Sequence, residues 1–73
     1  MEHSKLLEYY RFLDDLRLLG TINMFGSSHS LQNSFKLDKS TSNLVVSSWM
    51  HTFNEELSAG ERAAEALERG LVS

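Results

Sequence analysis

Leu6, Tyr9, Leu13 and Leu16 recur at steps of three, four and three residues, a spacing that gathers them on one side of an α-helix and on neither face of a strand. With Tyr10 and Phe12 flanking it, this stripe predicts an amphipathic helix over residues 4–19, capped by Ser4 and stopped by Gly20. The pattern returns further along. Val45, Val46, Trp49 and Phe53 fall at i, i+1, i+4 and i+8 behind Asp38, a good N-cap, and predict an apolar helix centred on Trp49. Between the two, Asn23 suits the cap of a helix reaching about Phe35, with Met24, Phe25, Leu31 and Phe35 inward. Its stretch Gly26-Ser27-Ser28-His29-Ser30 holds poor helix formers and predicts an irregular first turn. Ser58-Ala59-Gly60-Glu61 has the form of a capping box, serine and glutamate each satisfying the other's orphan backbone donor, and predicts a fourth helix from Ala59 to Arg69 ending at Gly70.

The expected fold is therefore all-α: a small bundle of three core helices plus a short C-terminal helix, with Tyr9, Leu13, Leu16, Leu31, Phe35, Trp49 and Phe53 in the core. Residues 1–54 read as a helical core domain and 55–73 as an acidic C-terminal helix and tail. The apolar face of Ala63, Leu67 and Leu71 is thin, leaving the last helix to dock weakly, dock on a partner or fray. A chain of 73 residues has few means of strengthening one small core. It has no cysteine for a disulfide, and His3, His29 and His51 are spread without a close pair, so neither a metal nor any other cofactor is expected. Self-association is the expected way to bury more surface.

Apolar runs of at most three residues are far too short for a membrane span, and Met1-Glu2-His3-Ser4-Lys5 lacks the layout of a signal peptide, so the expected location is the cytoplasm. The net charge of −3 is unevenly placed: residues 1–50 balance five Lys and Arg against five Asp and Glu, while residues 51–73 carry two Arg against five Glu. Neither part has the basic footprint that dominates binding to phosphate backbones.

Catalytic chemistry has no local signature here. The histidines and serines are scattered, and Asp14-Asp15 are neighbours rather than three or four apart, so their carboxylates point to different sides of a helix and do not share a proton or cation. The charges of the first helix read as a solvated face, and a chain this short has difficulty enclosing a ligand pocket. The chain is not expected to be an enzyme. Leu31 to Trp49 has the layout of a helix-turn-helix corner, residues 31–49, with Lys36-Leu37 as its turn. Nucleic acid would there be met by Lys36, Lys39, Ser40, Thr41 and Asn43. Lys36 stands where the turn favours glycine.

Asn23-Met24-Phe25-Gly26, Leu31, Phe35-x-Leu37-Asp38-Lys39, Trp49-Met50 and Phe53, preceded by Tyr10-x-Phe12-Leu13-Asp14-Asp15-Leu16-Arg17, resemble a group of short uncharacterised proteins encoded by tailed phages and prophages. The resemblance covers about residues 9–54. It implies a viral origin and a small helical fold, and it carries no activity to transfer. Such proteins usually have Pro and an aromatic residue in place of His29 and Ser30, Gly in place of Lys36, and polar residues in place of Leu18, Leu19 and Leu44. These surplus leucines, with Glu55 and Glu56 of the acidic region, form the candidate partner-binding set. The expected function is that of a phage accessory protein binding a host or phage protein without catalysis, inhibition of a host factor being one form of this. The alternative is a dimeric helix-turn-helix DNA-binding regulator.

Overall fold

A computed structural model describes residues 1–20 and 24–72, except the side chains of Met24 and Phe25. Four helices account for most of it: α1 (His3–Leu19), α2 (Met24–Phe35), α3 (Lys39–Thr52) and α4 (Ala59–Glu68). The all-α expectation holds. The predicted cap at Asn23 lies outside the described residues.

Local chemistry sets most of the boundaries. Gly20 ends α1 at φ 64°, its N–H reaching the Leu16 and Arg17 carbonyls, a conformation a side chain would strain. Lys36 takes the equivalent left-handed position after α2 at φ 55°, with the Leu37 N–H on the Gln32 carbonyl. Asp38 caps α3 through the Thr41 N–H, and Ser58 and Glu61 cap α4 reciprocally. Gly70, at φ 68°, closes α4 in a Schellman turn: its N–H bonds the Leu67 carbonyl and the Leu71 N–H bonds that of Ala66. That turn sends the chain back so that Val72 is buried.

Two expectations about the elements are corrected. Ser4 does not cap α1; Glu2 holds the cap position without a side-chain hydrogen bond, and His3 instead bonds the Gly60 carbonyl at 2.9 Å. The Gly-Ser-Ser-His-Ser stretch is regular helix. Ser28 is held there by α3, its hydroxyl donating to Asn43 Oδ1 at 2.5 Å while Ser42 Oγ donates to the Ser28 carbonyl at 2.6 Å, so tertiary bonds outweigh weak propensity. Of the fates left open for α4, the structure shows docking, against both α1 and α3. Its small residues are what allow this: Ala63 and Ala66 are fully buried, and a thin face permits a close approach.

The core is built from Leu6, Tyr9, Tyr10, Leu13, Leu31, Val45, Val46, Trp49, Ala63, Ala66 and Val72. Leu16, Phe35 and Phe53, expected inside, are half-buried at its edge. Phe35 still meets Tyr9 and Phe12 edge-to-face, with centroids 4.9 and 5.4 Å away. Tyr10, buried completely, bonds Ser48 Oγ at 2.7 Å. Tyr10–Ser48, Asp14–Trp49 and Arg17–Phe53 contacts advance together along both helices, so α1 and α3 run in the same direction. Among the described residues no helix is long and apolar enough to cross a membrane.

Candidate functional site

Asp14 lies where α1, α3 and α4 meet. It accepts from Trp49 Nε1 of α3 at 2.9 Å and from both terminal nitrogens of Arg62 of α4, at 3.1 and 2.5 Å. Arg62 is only 4% exposed, and its remaining donor, Nε, reaches the Leu57 carbonyl at 3.4 Å. The fork of a guanidinium matches a carboxylate two bonds to two, which makes this the strongest polar tie between the helices. The expectation of a solvated α1 face fails at this residue.

One turn on, Arg17 Nη2 bonds Glu55 Oε1 at 3.0 Å while its guanidinium carbon lies 4.5 Å from the centre of the Phe53 ring. Arg62 approaches the same ring to 5.4 Å, and Trp49 stacks at a tilt with centroids 5.3 Å apart. Phe53 is thus held by two cations and an indole at the end of α3. Asp14, Arg17, Phe53, Glu55 and Arg62, together with Leu18, Asn54 and Leu57, line an open groove of about 320 Å³ between the C-terminal half of α1 and the α3–α4 turn. The volume is at the lower end of ligand sites, but the space is a surface trough and encloses nothing.

The groove brings together two of the five expected partner-binding residues. Leu18 is 79% exposed at its rim and Glu55 stands in its wall. Glu56, also exposed, follows Glu55 in the turn, its N–H on Asn54 Oδ1 at 2.9 Å. Leu19, 67% exposed, is rotated about 100° further round α1. Leu44 lies on the side of α3 away from Val45 and Trp49 and belongs to a different surface.

At the α2–α3 corner Lys36, Lys39 and Ser40 are exposed and Thr41 half-buried. The Thr41 N–H donates to Asp38 Oδ1 at 2.7 Å, and Asn43 is engaged by Ser28. Hydrogen bonding from Thr41, chiefly its side chain and then its backbone, holds the Asp38 carboxyl below the usual carboxylate range. A carboxylate therefore occupies the positive end of α3, where a reading helix would meet a phosphate. Its charge offsets one of the two lysines.

His29 is exposed with Nε2 3.3 Å from Asn33 Nδ2, His51 is exposed near the end of α3, and His3 faces Gly60. Among the described residues no three His, Asp or Glu side chains cluster as metal ligands would. Sequence reasoning passed over Asp14, Arg62 and the Arg17–Phe53 stack. One signal was present: Arg62 shares a helical face with Ala59, Ala63 and Ala66, and a charge on an apolar face calls for a buried partner.

No protein-family model matches this chain, nor does any curated protein or solved structure.

Proposed function

We propose that the chain is a small phage accessory protein that acts in the host cytoplasm without catalysis, by seating part of another protein in the groove beside Leu18. The viral assignment draws on the sequence resemblance over residues 9–54. One observation carries the binding role: Leu18, 79% exposed, stands at the mouth of a trough with Phe53 and Leu57 in its lining. Covering such a leucine contributes about 1.5–3 kcal/mol. The Arg17–Glu55 pair at the rim gives the apolar centre a polar border, the arrangement of transient protein interfaces. Leu19 and Leu44, outside the groove, offer surface to a second copy.

The test is capture from host lysate by the wild type and by Leu18→Gln, with sedimentation of each to follow self-association. A partner retained by the wild type and lost by Leu18→Gln, with unchanged melting, is the expected result. Duplex DNA titrated at low and physiological salt provides the opposing measurement. Binding that weakens steeply with salt and disappears in the Lys36→Ala, Lys39→Ala double variant would replace this reading with a DNA-binding regulator.

A further inference from the structure

The groove has a charge bias that its lining alone conceals. From His51 to Glu61 the sequence has three acids and no Lys or Arg, and this stretch supplies the wall formed by Phe53, Asn54, Glu55 and Leu57. Beyond the opposite wall Asp15, exposed, precedes Leu18 by three residues and so lies beside it on the helix surface. The two cations at the groove are already engaged, Arg62 by Asp14 and Arg17 by Glu55. The carboxylates of Asp15 and Glu56 have no partner among the described residues. Arg11, exposed and without an ion pair among the described residues, lies one turn before Asp15 and about 10 Å before Leu18 along α1. The charged groups of the lining thus pair off, and the free carboxylates lie just outside it, Asp15 beside Leu18 and Glu56 beside Glu55.

We infer that the groove's occupant is a basic segment of a partner protein, one large apolar side chain lying against Leu18, Phe53 and Leu57 and flanking Lys or Arg residues facing Asp15 and Glu56. This rests on the protein-binding reading of the same groove and adds the chemistry of its partner. Unpaired carboxylates flanking the groove on both sides steer a cationic segment towards the trough and repel an acidic one, while the apolar contact fixes where it stops.

Two synthetic amphipathic helical peptides test this, identical in their leucine face and carrying either lysine or glutamate on the other. Each is labelled and titrated with the full chain by fluorescence anisotropy, with Trp49 emission as a local readout, because its indole bonds Asp14 in the groove lining. The lysine peptide is expected to bind at least about tenfold more tightly than the glutamate peptide, to lose about threefold or more in affinity from low to high salt, and to shift Trp49 emission. Leu18→Gln should weaken it about tenfold. The double variant Asp15→Lys, Glu56→Lys, both sites being exposed, should reverse the order of the two peptides without changing the melting temperature. Equal binding, preference for glutamate, no binding of either, or an order unchanged in the double variant overturns the basic-partner assignment. If that happens while a captured protein is still lost by Leu18→Gln, the groove reading survives with a different partner chemistry. Lysine-peptide binding that ignores Leu18→Gln removes the groove itself.

Discussion

Replacing Asp14 by Ala strips Arg62 of the carboxylate it grips. Arg62 is 4% exposed with every guanidinium nitrogen aimed at an acceptor inside the fold, so it has no short path to water. Breaking a buried pair from one side costs about 3–5 kcal/mol. The Asp14 side chain is 27% exposed at the edge of an open groove, which points to the lower end, about 3 kcal/mol. The Trp49 indole N–H loses its acceptor too, adding about 1 kcal/mol. The sum of about 4 kcal/mol compares with a total stability of about 4–11 kcal/mol for a chain of this length. At about 4–8 °C per kcal/mol, Tm should fall by about 16–32 °C. Arg62→Met keeps most of the stem's packing and leaves Asp14 with the indole and water, at a cost of about 1–2 kcal/mol. Exchanging both residues, as Asp14→Ala with Arg62→Met, removes the charges together and should cost about 2–3 kcal/mol less than the two single changes added. Urea unfolding followed by far-ultraviolet circular dichroism measures all of these without relying on the perturbed indole. An Asp14→Ala cost below about 1 kcal/mol, or strict additivity in the double variant, would refute the argument that this pair is dry and coupled.

Lys36→Gly relieves a left-handed backbone and should raise stability by about 1 kcal/mol, whereas Lys36→Val should lower it; thermal melts distinguish the two. Ser48 Oγ donates to the Val45 carbonyl at 2.7 Å, so the buried Tyr10 hydroxyl is the donor in their contact. Ser48→Ala strands that donor and should cost about 1–3 kcal/mol, more than Tyr10→Phe, which leaves Ser48 satisfied; the reverse order in urea unfolding would mean the hydroxyls point the other way. Asp38 and Glu61 both have lowered carboxyl pKa values, held down by hydrogen bonds from Thr41 and from the Ser58 backbone and side chain, respectively. In acid the folded chain holds fewer protons at these groups than the unfolded chain does. Their stabilisation is present above about pH 4, the ordinary unfolded carboxyl range, and is lost as pH falls through the lower folded values. Asp38→Asn and Glu61→Gln should each flatten the acid side of a plot of urea midpoint against pH.

The features legible in the sequence are those whose cause is local. Asp38, Gly20, Gly70 and the Ser58–Glu61 pair act on backbone groups within a few residues, so their types alone mark where α1, α3 and α4 start or stop. Lys36 was legible as a misfit for the same reason. Tyr10 was read as a flank because its partner Ser48 lies 38 positions away. Asp14 looked like half of a solvated acidic pair because Arg62 is 48 positions away, and periodicity within one helix does not say which charge meets which. The regular first half of α2 was hidden similarly, since α3 supplies the bonds that hold Ser28. At the candidate site, Leu18 and Glu55 were legible as members of one partner-binding set; that these two, and not Leu19 or Leu44, line one trough follows from the packing of α4, whose contact face of small alanines around Arg62 gave little hydrophobic signal.

The seam between α1 and α4 also has a consequence in time. His3 meets Gly60, Asp14 meets Arg62, and Val72 folds back to complete the core, so α1 waits for residues 60–72 to be made before its buried face is covered. Until then Leu6, Tyr9, Tyr10 and Leu13 belong to an amphipathic helix short of part of its partner surface, in the hands of chaperones and proteases. A ribosome paused after residue 54 would hold a chain lacking Arg62, Ala63 and Ala66 and hence unable to close this core. Closure of this core therefore follows the synthesis of α4, because only then are Ala63, Ala66 and the partner of Asp14 present.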